Sequence, residues 1–445
     1  MRRETKNKIT SKLSGRPVYV IDGVRTPFLK ARGRPGPFRA SDLALAAGRA
    51  LLMRLGLTPD VVDQVVLGCV SSGPDEVNIA RVVALRLGCG EEVPAWTVQR
   101  NCASGMQALD SAALDIASGR SDVVLAGGTE AMSHHPVMLN ELMVGWLGNW
   151  SQARTPGARG RALMQLRMRH FKPVIALLRG LTDPVVGLSM GQTAEELAER
   201  FGIGREAMDA YAMRSHHRLA HAREKAWLDE IEPLYDGGGR VYEHDDGLRP
   251  DSSMASLAGL RPVFDRPVGR VTAGNSAQVS DGAAMLLLAS ERAVERLDLP
   301  VLGRVVDSHW AGLDPAQMGL GPVHAMAPLM DRHGLDSADI DVWEINEAFA
   351  VQVLACTRAW QSQAYNRDVL GRDGAFGPID ETRLNIDGGG VSLGHPVGAS
   401  GARITLHALK VMQREHKQRA IASLCIGGGQ GGALLLEAAH GRMHS

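Results

Sequence analysis

Short apolar runs alternate along this chain with longer stretches in which apolar residues recur every three or four positions. Val18–Asp22, Val65–Cys69 and Val123–Ala126 are brief and have no polar face, the pattern of strands in a sheet covered on both sides. Between them, Leu43, Ala47 and Leu51 fall on one helical face behind an expected N-cap at Ser41, and Gly56 is the expected stop. A second helix carries Met106, Leu109, Ala113 and Ile116 on one face and ends at Gly119. A third is expected to open on the capping box Thr193-Ala-Glu-Glu196. The pattern predicts an α/β chain of layered helices and sheets.

A weak internal echo suggests two related halves. Ser104–Gly105 opens a helix whose following strand ends in Gly127–Gly128. Ser400–Gly401 opens another, followed by a strand Ile421–Leu424 and then Cys425-Ile-Gly-Gly-Gly. Two copies of one unit facing each other would place a site at their seam. The middle of the chain is different. Residues 142–182 contain no Asp or Glu, while Arg154, Arg159, Arg161, Arg167, Arg169, Lys172 and Arg179 are interleaved with apolar residues. That pattern reads as a basic amphipathic helix for a surface or a partner, or as a solvated cap. The Gly/Asp/Pro-rich stretch 236–262 reads as a long connection back to the main body.

Composition narrows the class. A chain of 445 residues that is 44% hydrophobic and 22% charged is long enough for two or three globular domains. Net charge is zero, so nothing points to nucleic acid. Five cysteines lie singly, at Cys69, Cys89, Cys102, Cys356 and Cys425, without CxxC or metal-ligand spacing. A disulfide framework or zinc site is therefore not expected, and reduced thiols in a cytoplasm-like compartment are. Residues 1–15 form a basic tail without the apolar core of a secretory signal. No apolar run is long enough to span a bilayer.

Four segments carry chemistry. Cys102 lies between the extended stretch Ala95–Gln99 and a helix, where free N–H groups and the helix dipole favour a thiolate; a small buried cysteine is the plain alternative. His395 sits in a Gly-His-Pro-Val-Gly loop before a helix and could accept a thiol proton, or be an ordinary hydrogen-bonded loop histidine. Cys425 ends an apolar strand beside Gly427, Gly428 and Gly429, whose N–H groups could stabilise an oxyanion while the thiol moves a proton; it could equally be a core cysteine. Asn346 in Trp343-Glu-Ile-Asn-Glu-Ala-Phe could cap the following helix or hold a water against a thioester carbonyl.

These strings, Asn101-Cys-Ala-Ser-Gly-Met-Gln, Asn346-Glu-Ala-Phe-Ala, Gly394-His-Pro-Val-Gly-Ala-Ser-Gly and Cys425-Ile-Gly-Gly-Gly-Gln-Gly, resemble in this order the thiolase family. So do Ala126-Gly-Gly-Thr-Glu-Ala-Met, Thr272-Ala-Gly-Asn, Ser280-Asp-Gly-Ala-Ala and Met318-Gly-Leu-Gly-Pro, and the likeness runs from about Arg16 to Glu437. It implies the thiolase fold: two βαβαβαββ-type halves in an α/β/α/β/α arrangement, at 16–292 and 298–440, with a loop domain inserted at about 136–262. It also implies coenzyme A and acyl-CoA as substrates, with no further cofactor and no metal. Cys102 would be the nucleophile, His395 its activator and Cys425 the second thiol. Asn346 (through a water) with His395, and the N–H groups of Cys102 and Gly427, would form two oxyanion holes. Met318, Phe349, Ser189, Met190, Ala273, Gly274 and Ala277 match positions near the acyl and pantetheine groups. Ala277 stands where many relatives have serine, and Ser189 where short-chain members commonly have histidine.

The implied activity is acyl-CoA:acetyl-CoA C-acyltransfer in fatty-acid β-oxidation, with short-chain acetoacetyl-CoA formation as the alternative. The 142–182 segment resembles that of β-oxidation complexes, which implies contact with a hydratase/dehydrogenase subunit or a membrane periphery, or else with coenzyme A phosphates. A homodimer or homotetramer is expected, cytoplasmic, or mitochondrial if the source is eukaryotic. A ketoacyl synthase would lack the second thiol, and a non-catalytic lipid carrier would not need Cys102, His395 and Cys425 together.

Overall fold

The structure, a computed structural model, describes residues 12–439. Most of the basic tail expected over 1–15 lies outside them. Nine strands follow one hydrogen-bonded path, in the order Val342–Ile345, Arg419–Ile426, Gln430–Glu437, Gly303–Gly312, Val18–Arg25, Ser280–Ser290, Val123–Ala131, Gln64–Gly68 and Ala95–Val98. The short strand Leu29–Lys30 pairs beside this path with Ser280–Ser290.

The order is the same in both halves. From the middle outward, Val18–Arg25, Ser280–Ser290, Val123–Ala131 and Gln64–Gly68 match Gly303–Gly312, Gln430–Glu437, Arg419–Ile426 and Val342–Ile345. Each series has antiparallel pairs first and a parallel pair last. The fifth place is held by Ala95–Val98 in the first half and by one parallel bridge, Trp343 to Leu384, in the second. Within the sheet, among the described residues, the two series meet at the pairs Val18/Val305, Tyr19/Arg304 and Val20/Gly303.

Side-chain alternation builds the layers. Along Ser280–Ser290, Ala284, Leu286 and Leu288 enter a central cluster while Ala283, Met285, Leu287 and Ala289 enter an outer one. Successive strand residues face opposite sides, so both faces of this strand must be covered. Helices Ala40–Arg54 and Ile79–Leu87 cover the first half outside; Met190–Arg200, Gly321–His333 and Ala350–Gln361 cover the second. The central cluster holds two buried helices, Ser104–Ala117 and Ser400–Arg414. Their first turns touch: a Cβ on Gly105 would lie 2.7 Å from Gly398 O, and one on Gly401 would lie 2.6 Å from Met106 N. Glycine at both positions permits the crossing.

Three local expectations are corrected. The first helix begins at Ala40 behind Arg39, not behind Ser41. Ser41 is buried within it, donating to Glu76 and accepting from Arg86. The helix expected at Thr193 begins at Met190, capped by Ser189 with Gln192 in a capping box; Thr193 is already inside, its hydroxyl bonded to Met190 O at 2.7 Å. Residues 142–182 are not one amphipathic helix but the pieces Glu141–Gln152, Pro156–Gln165, Met168–Phe171 and Ala176–Gly180. Pro156 fits only a first turn, and Pro173 ends the third piece. The 236–262 stretch is mostly irregular, and its Asp245 pairs with the buried Arg25 at 2.7 Å. Among the described residues, no helix is long and apolar enough to cross a membrane.

Candidate active site

The two central helices present their N-termini to the same place, and each is preceded by a chemically active residue. The chain reaches Ser104–Ala117 through Asn101, a non-glycine residue at φ +45°, and Cys102. Ser104 Oγ ties this turn down by donating to Asn101 O at 2.7 Å and accepting from Arg100 N at 2.9 Å. The other helix is entered through Gly394, at φ +116°, and His395. A Cβ on Gly394 would lie 2.2 Å from Ser280 Oγ, so only glycine lets this loop lie against Ser280.

His395 is buried, and its Nδ1 lies 2.6 Å from Ser400 Oγ. The Ser400 hydroxyl donates its single proton to Pro396 O at 3.0 Å. Nδ1–H therefore donates to Ser400, which leaves Nε2 with a free lone pair. Burial first, and the Arg403 guanidinium second, push this imidazole down to about 4, so the ring is neutral. Arg403 is itself buried and donates to Glu344 at 3.2 Å.

Cys102 is half-buried and Cys425 is buried; both are free thiols. Burial raises the Cys102 thiol, while the N–H groups of Gly427 and of Cys102 itself pull it down. The net direction is upward. A helix N-terminus alone predicts the opposite, and desolvation by residues far away in sequence outweighs it. Cys425 lies well above the usual thiol range, through burial and then through the charge Cys102 would carry, so the two sulfurs feel each other. Their loops are joined: Asn101 Nδ2 donates to Gly427 O at 2.8 Å.

Asn346 does not cap the following helix, whose N-cap is Phe349. Its Nδ2 lies 3.4 and 3.5 Å from the two ring nitrogens of His395, at the long limit for a hydrogen bond to either. Its Oδ1 is buried without a partner. The next residue, Glu347, anchors the loop: Tyr211 Oη, Ser215 Oγ, Asn385 Nδ2 and Val391 N donate to its carboxylate at 2.7 to 3.2 Å. Burial and this carboxylate hold the Tyr211 phenol protonated, well above its usual range.

Met318, Phe349 and Cys425 share one core cluster, with Met190 packed at its edge. Met190 Sδ would lie 3.3 Å from a Cβ on Gly427, so this methionine faces the glycine turn. Phe349 meets Phe264 edge-on at 6.2 Å. Segment 272–278 lines up beside the Asn346 loop, with Ala277 N donating to Ala348 O at 3.0 Å and a bridge from Ser276 to Phe349. Ala273 is exposed, and Gly274 is buried with its Cα facing Leu257 and Leu260. The Ser189 hydroxyl is bonded to Gln192 as a helix cap. Sequence reasoning gave no role to Ser400, Arg403, Glu347 or Asn101. The one signal was a glutamate inside an apolar run, which has to find partners when buried. Among the described residues, no group of three or more His, Cys, Asp or Glu could hold a metal.

The arrangement offers a thiol under the influence of two backbone N–H groups, a neutral imidazole before the neighbouring helix, and a second buried thiol whose loop is tied to that of the first. Such a set suits nucleophilic attack on a carbonyl coupled to proton transfer at carbon. Residues 18–292 match the family model "Thiolase, N-terminal domain" and 299–438 match "Thiolase, C-terminal domain". A 3-ketoacyl-CoA thiolase of Yersinia pestis is 36% identical over 423 residues, 94% of this chain and 96% of the relative. Human mitochondrial 3-ketoacyl-CoA thiolase superposes with a TM-score of 0.82 at 34% identity, covering 96% of this chain and 100% of that one. It has also been solved in complex with CoA. The Bacillus anthracis acetyl-CoA acetyltransferase gives a TM-score of 0.81 at 36% identity, with the same coverage. Matched through both halves by the family models and by relatives spanning nearly its whole length, the chain belongs to the thiolase family.

Proposed function

We propose that this thiolase is an acyl-CoA:acetyl-CoA C-acyltransferase that cleaves 3-ketoacyl-CoA, or runs the reverse Claisen condensation, through an acyl group on Cys102. The observation that carries this reading is the Asn101–Gly427 bond, which seats the Cys102 loop on the turn that follows Cys425. In thiolysis the Cys102 proton passes to His395 Nε2 and the sulfur attacks the 3-keto carbon. The C2–C3 bond breaks, and its electron pair leaves with the acetyl-CoA enolate, which takes the Cys425 proton at C2. The thiol of CoA then gives its proton to Cys425 and attacks the acyl-Cys102 carbonyl. The Cys102 sulfur departs and recovers its proton from His395.

A raised Cys102 thiol beside a depressed imidazole means the thiol is protonated at rest, so its proton leaves in step with attack. The N–H groups of Cys102 and Gly427 serve one oxyanion; His395, with a water held by Asn346, serves the other. Each donor contributes about 3–4 kcal/mol to lowering the barrier.

Met190, Met318 and Phe349 give the site an apolar wall, Ser189 stands where short-chain members commonly have histidine, and Ala277 where many relatives have serine; these features support medium or longer acyl chains and a β-oxidation role. A thiolysis assay across 3-ketoacyl-CoA lengths, with Cys102→Ala and Cys425→Ala, tests this. Both variants should lose at least about a thousandfold in kcat. Full activity in Cys102→Ala would end the mechanism, and cleavage of acetoacetyl-CoA alone would favour the short-chain alternative.

Two finer readings belong here. Among the described residues, the strand Ala95–Val98 has one strand neighbour and none on its other edge, which supports at least a homodimer, testable by light scattering. In 136–182, Val137, Leu139, Val144, Leu163, Met164, Met168 and Phe171 are exposed, and none of the seven Arg and Lys residues has an acidic partner among the described residues. Apolar and basic groups together suit an anionic lipid surface. Binding to phosphatidylserine vesicles, absent on neutral ones and after deletion of 154–179, is the expected result; binding only to a hydratase/dehydrogenase subunit would overturn it. The five free thiols suit a reducing compartment, cytoplasmic or mitochondrial.

A further inference from the structure

The residue before the nucleophile is held in an unusual way. Asn101 has φ +45°, a region that asparagine tolerates and most side chains avoid. Its backbone carbonyl accepts from both Ser104 N, at 3.0 Å, and Ser104 Oγ. Its side chain crosses to the other half, a separation of 326 residues, to donate to Gly427 O. It also accepts from Gln99 Nε2 at 3.3 Å.

The recipient is the glycine turn that closes the hairpin of Arg419–Ile426 and Gln430–Glu437. Gly428 and Gly429 have φ +90° and +76°, and Gly428 is exposed. On its far side the turn is tied by Leu313 N donating to Gly429 O at 2.8 Å. On the side facing the nucleophile the tie is the Asn101 amide. The same Gly427 offers its N–H to Cys102 and borders Met190. A swing of this turn would therefore move an oxyanion donor, the backbone after the second thiol and part of the acyl wall together.

We propose that Asn101 is a positioning residue for this reaction: its left-handed backbone turns Cys102 toward the second half, and its amide locks the Gly427 turn in register with the nucleophile. The inference rests on the proposed acyl-Cys102 chemistry. The bond joins segments that each carry one of the two thiols, so it sets their relative placement instead of stabilising a single element. A misplacement of about 1 Å at reacting groups costs up to about a hundredfold in rate.

The test uses the full-length protein and two variants that keep the backbone conformation. Asn101→Gly accepts φ +45° and has no donor; Asn101→Asp keeps the shape but, ionised, presents an acceptor to Gly427 O. Both should fold, lose at least about tenfold in thiolysis kcat with KM for CoA changed by less than about threefold, and alkylate Cys102 more slowly with iodoacetamide across the pH range. Wild-type kcat and alkylation profile in Asn101→Gly, with only a lower Tm, would reduce Asn101 to a structural residue and overturn the proposal. Cys102→Ala in parallel separates the failures. If it is inactive while Asn101→Gly is normal, only this inference fails; if it is active, the acyl-Cys102 reading itself fails.

Discussion

Ser400→Ala separates the orientation of His395 from its chemistry, because the serine touches the imidazole through one oxygen and is itself 1% exposed. Its Oγ lies 2.6 Å from Nδ1. The other polar group beside the ring is Asn346, whose nearer contact is 3.4 Å and comes from an N–H donor, which cannot accept the Nδ1 proton. Alanine therefore leaves a buried N–H without an acceptor, at a cost of about 1–3 kcal/mol. The ring escapes that cost by moving its proton to Nε2 or by turning, and either removes the lone pair that accepts the Cys102 proton. At about 1.36 kcal/mol per decade, the same range becomes roughly a 5- to 150-fold loss of kcat. Steady-state thiolysis of a medium-chain 3-ketoacyl-CoA measures it, with the KM for CoA expected to stay within about twofold because the Ser400 hydroxyl is buried and engaged with His395 and Pro396 O. Wild-type kcat in a well-folded Ser400→Ala protein would refute the tautomer argument. So would a loss of kcat matched by an equal rise in KM.

Two other outcomes follow from buried charge. His216, His309 and His395 are each pushed by burial from 6.5 down to about 4. A depressed histidine favours the fold above its unfolded value, and this contribution is lost as pH falls from 6.5 toward 4. Together these groups weaken the fold by at most about 4 kcal/mol per pH unit as pH falls within that window, while Glu344, raised by burial to about 7, takes up its proton in the fold first and offsets part of the loss. His407 runs the other way: burial opposes its charge, but Glu230 and Asp387 raise it to about 10, so its contribution is full below 6.5 and is lost toward 10. Urea unfolding measured between these limits checks both signs, and stability that holds or rises as pH falls from 6.5 to 4 would sink the first. Arg403→Met should cost about 3–5 kcal/mol by leaving Glu344 buried and unpaired. Burial already lifts Glu344 to about 7, so the carboxyl takes a proton at mildly acid pH and the penalty should shrink there. Arg403→Met with Glu344→Gln should recover most of the loss; a single variant as stable as wild type would contradict the ion-pair reading.

The strands were legible because both their faces are covered, which leaves an unbroken apolar run in the sequence. Helix starts were less so. Ser189-Met-Gly-Gln192 and Thr193-Ala-Glu-Glu196 satisfy the same capping rule in tandem, and only packing selects the first. Ser41 looks like a cap, but Glu76 and Arg86, distant in sequence, claim its hydroxyl. In the site, Cys102 stood out by its place before a helix, and His395 and Cys425 by the glycine turns beside them, yet their partners did not. The Asn101–Gly427 bond joins segments 326 residues apart and the Glu347 anchor reaches Tyr211, 136 residues away, where no local pattern reaches. The thiol itself is the sharpest case. Its local setting at a helix start predicts a lowered pKa, whereas desolvation, which depends on the whole fold, raises it.

The matching strand order of the halves explains why the reactive groups meet at all. In each half a helix enters the centre after the fifth sheet position, and Cys102 precedes one such helix while His395 precedes the other. Asn346 follows the strand Val342–Ile345, and its counterpart after Gln64–Gly68 is Cys69, a thiol that burial and Glu130 hold protonated. Cys425 lies near the end of Arg419–Ile426, and its counterpart strand Val123–Ala131 has Glu130 near its end, accepting Val70 N and Ser71 N at 2.8 and 3.1 Å. Equivalent loops thus hold structural groups in one half and chemical groups in the other. A fold that brings two helix N-termini together concentrates partial positive charge at one point, which favours both a thiolate and an oxyanion whichever residues occupy the loops. In the proposed mechanism Cys102 comes from the first half, while His395, Asn346 and Cys425 come from the second. On that reading the seam between the halves is part of the catalytic geometry, and substitutions at Gly105 or Gly401, in the first turns of the two crossing helices, should act on rate as much as on stability.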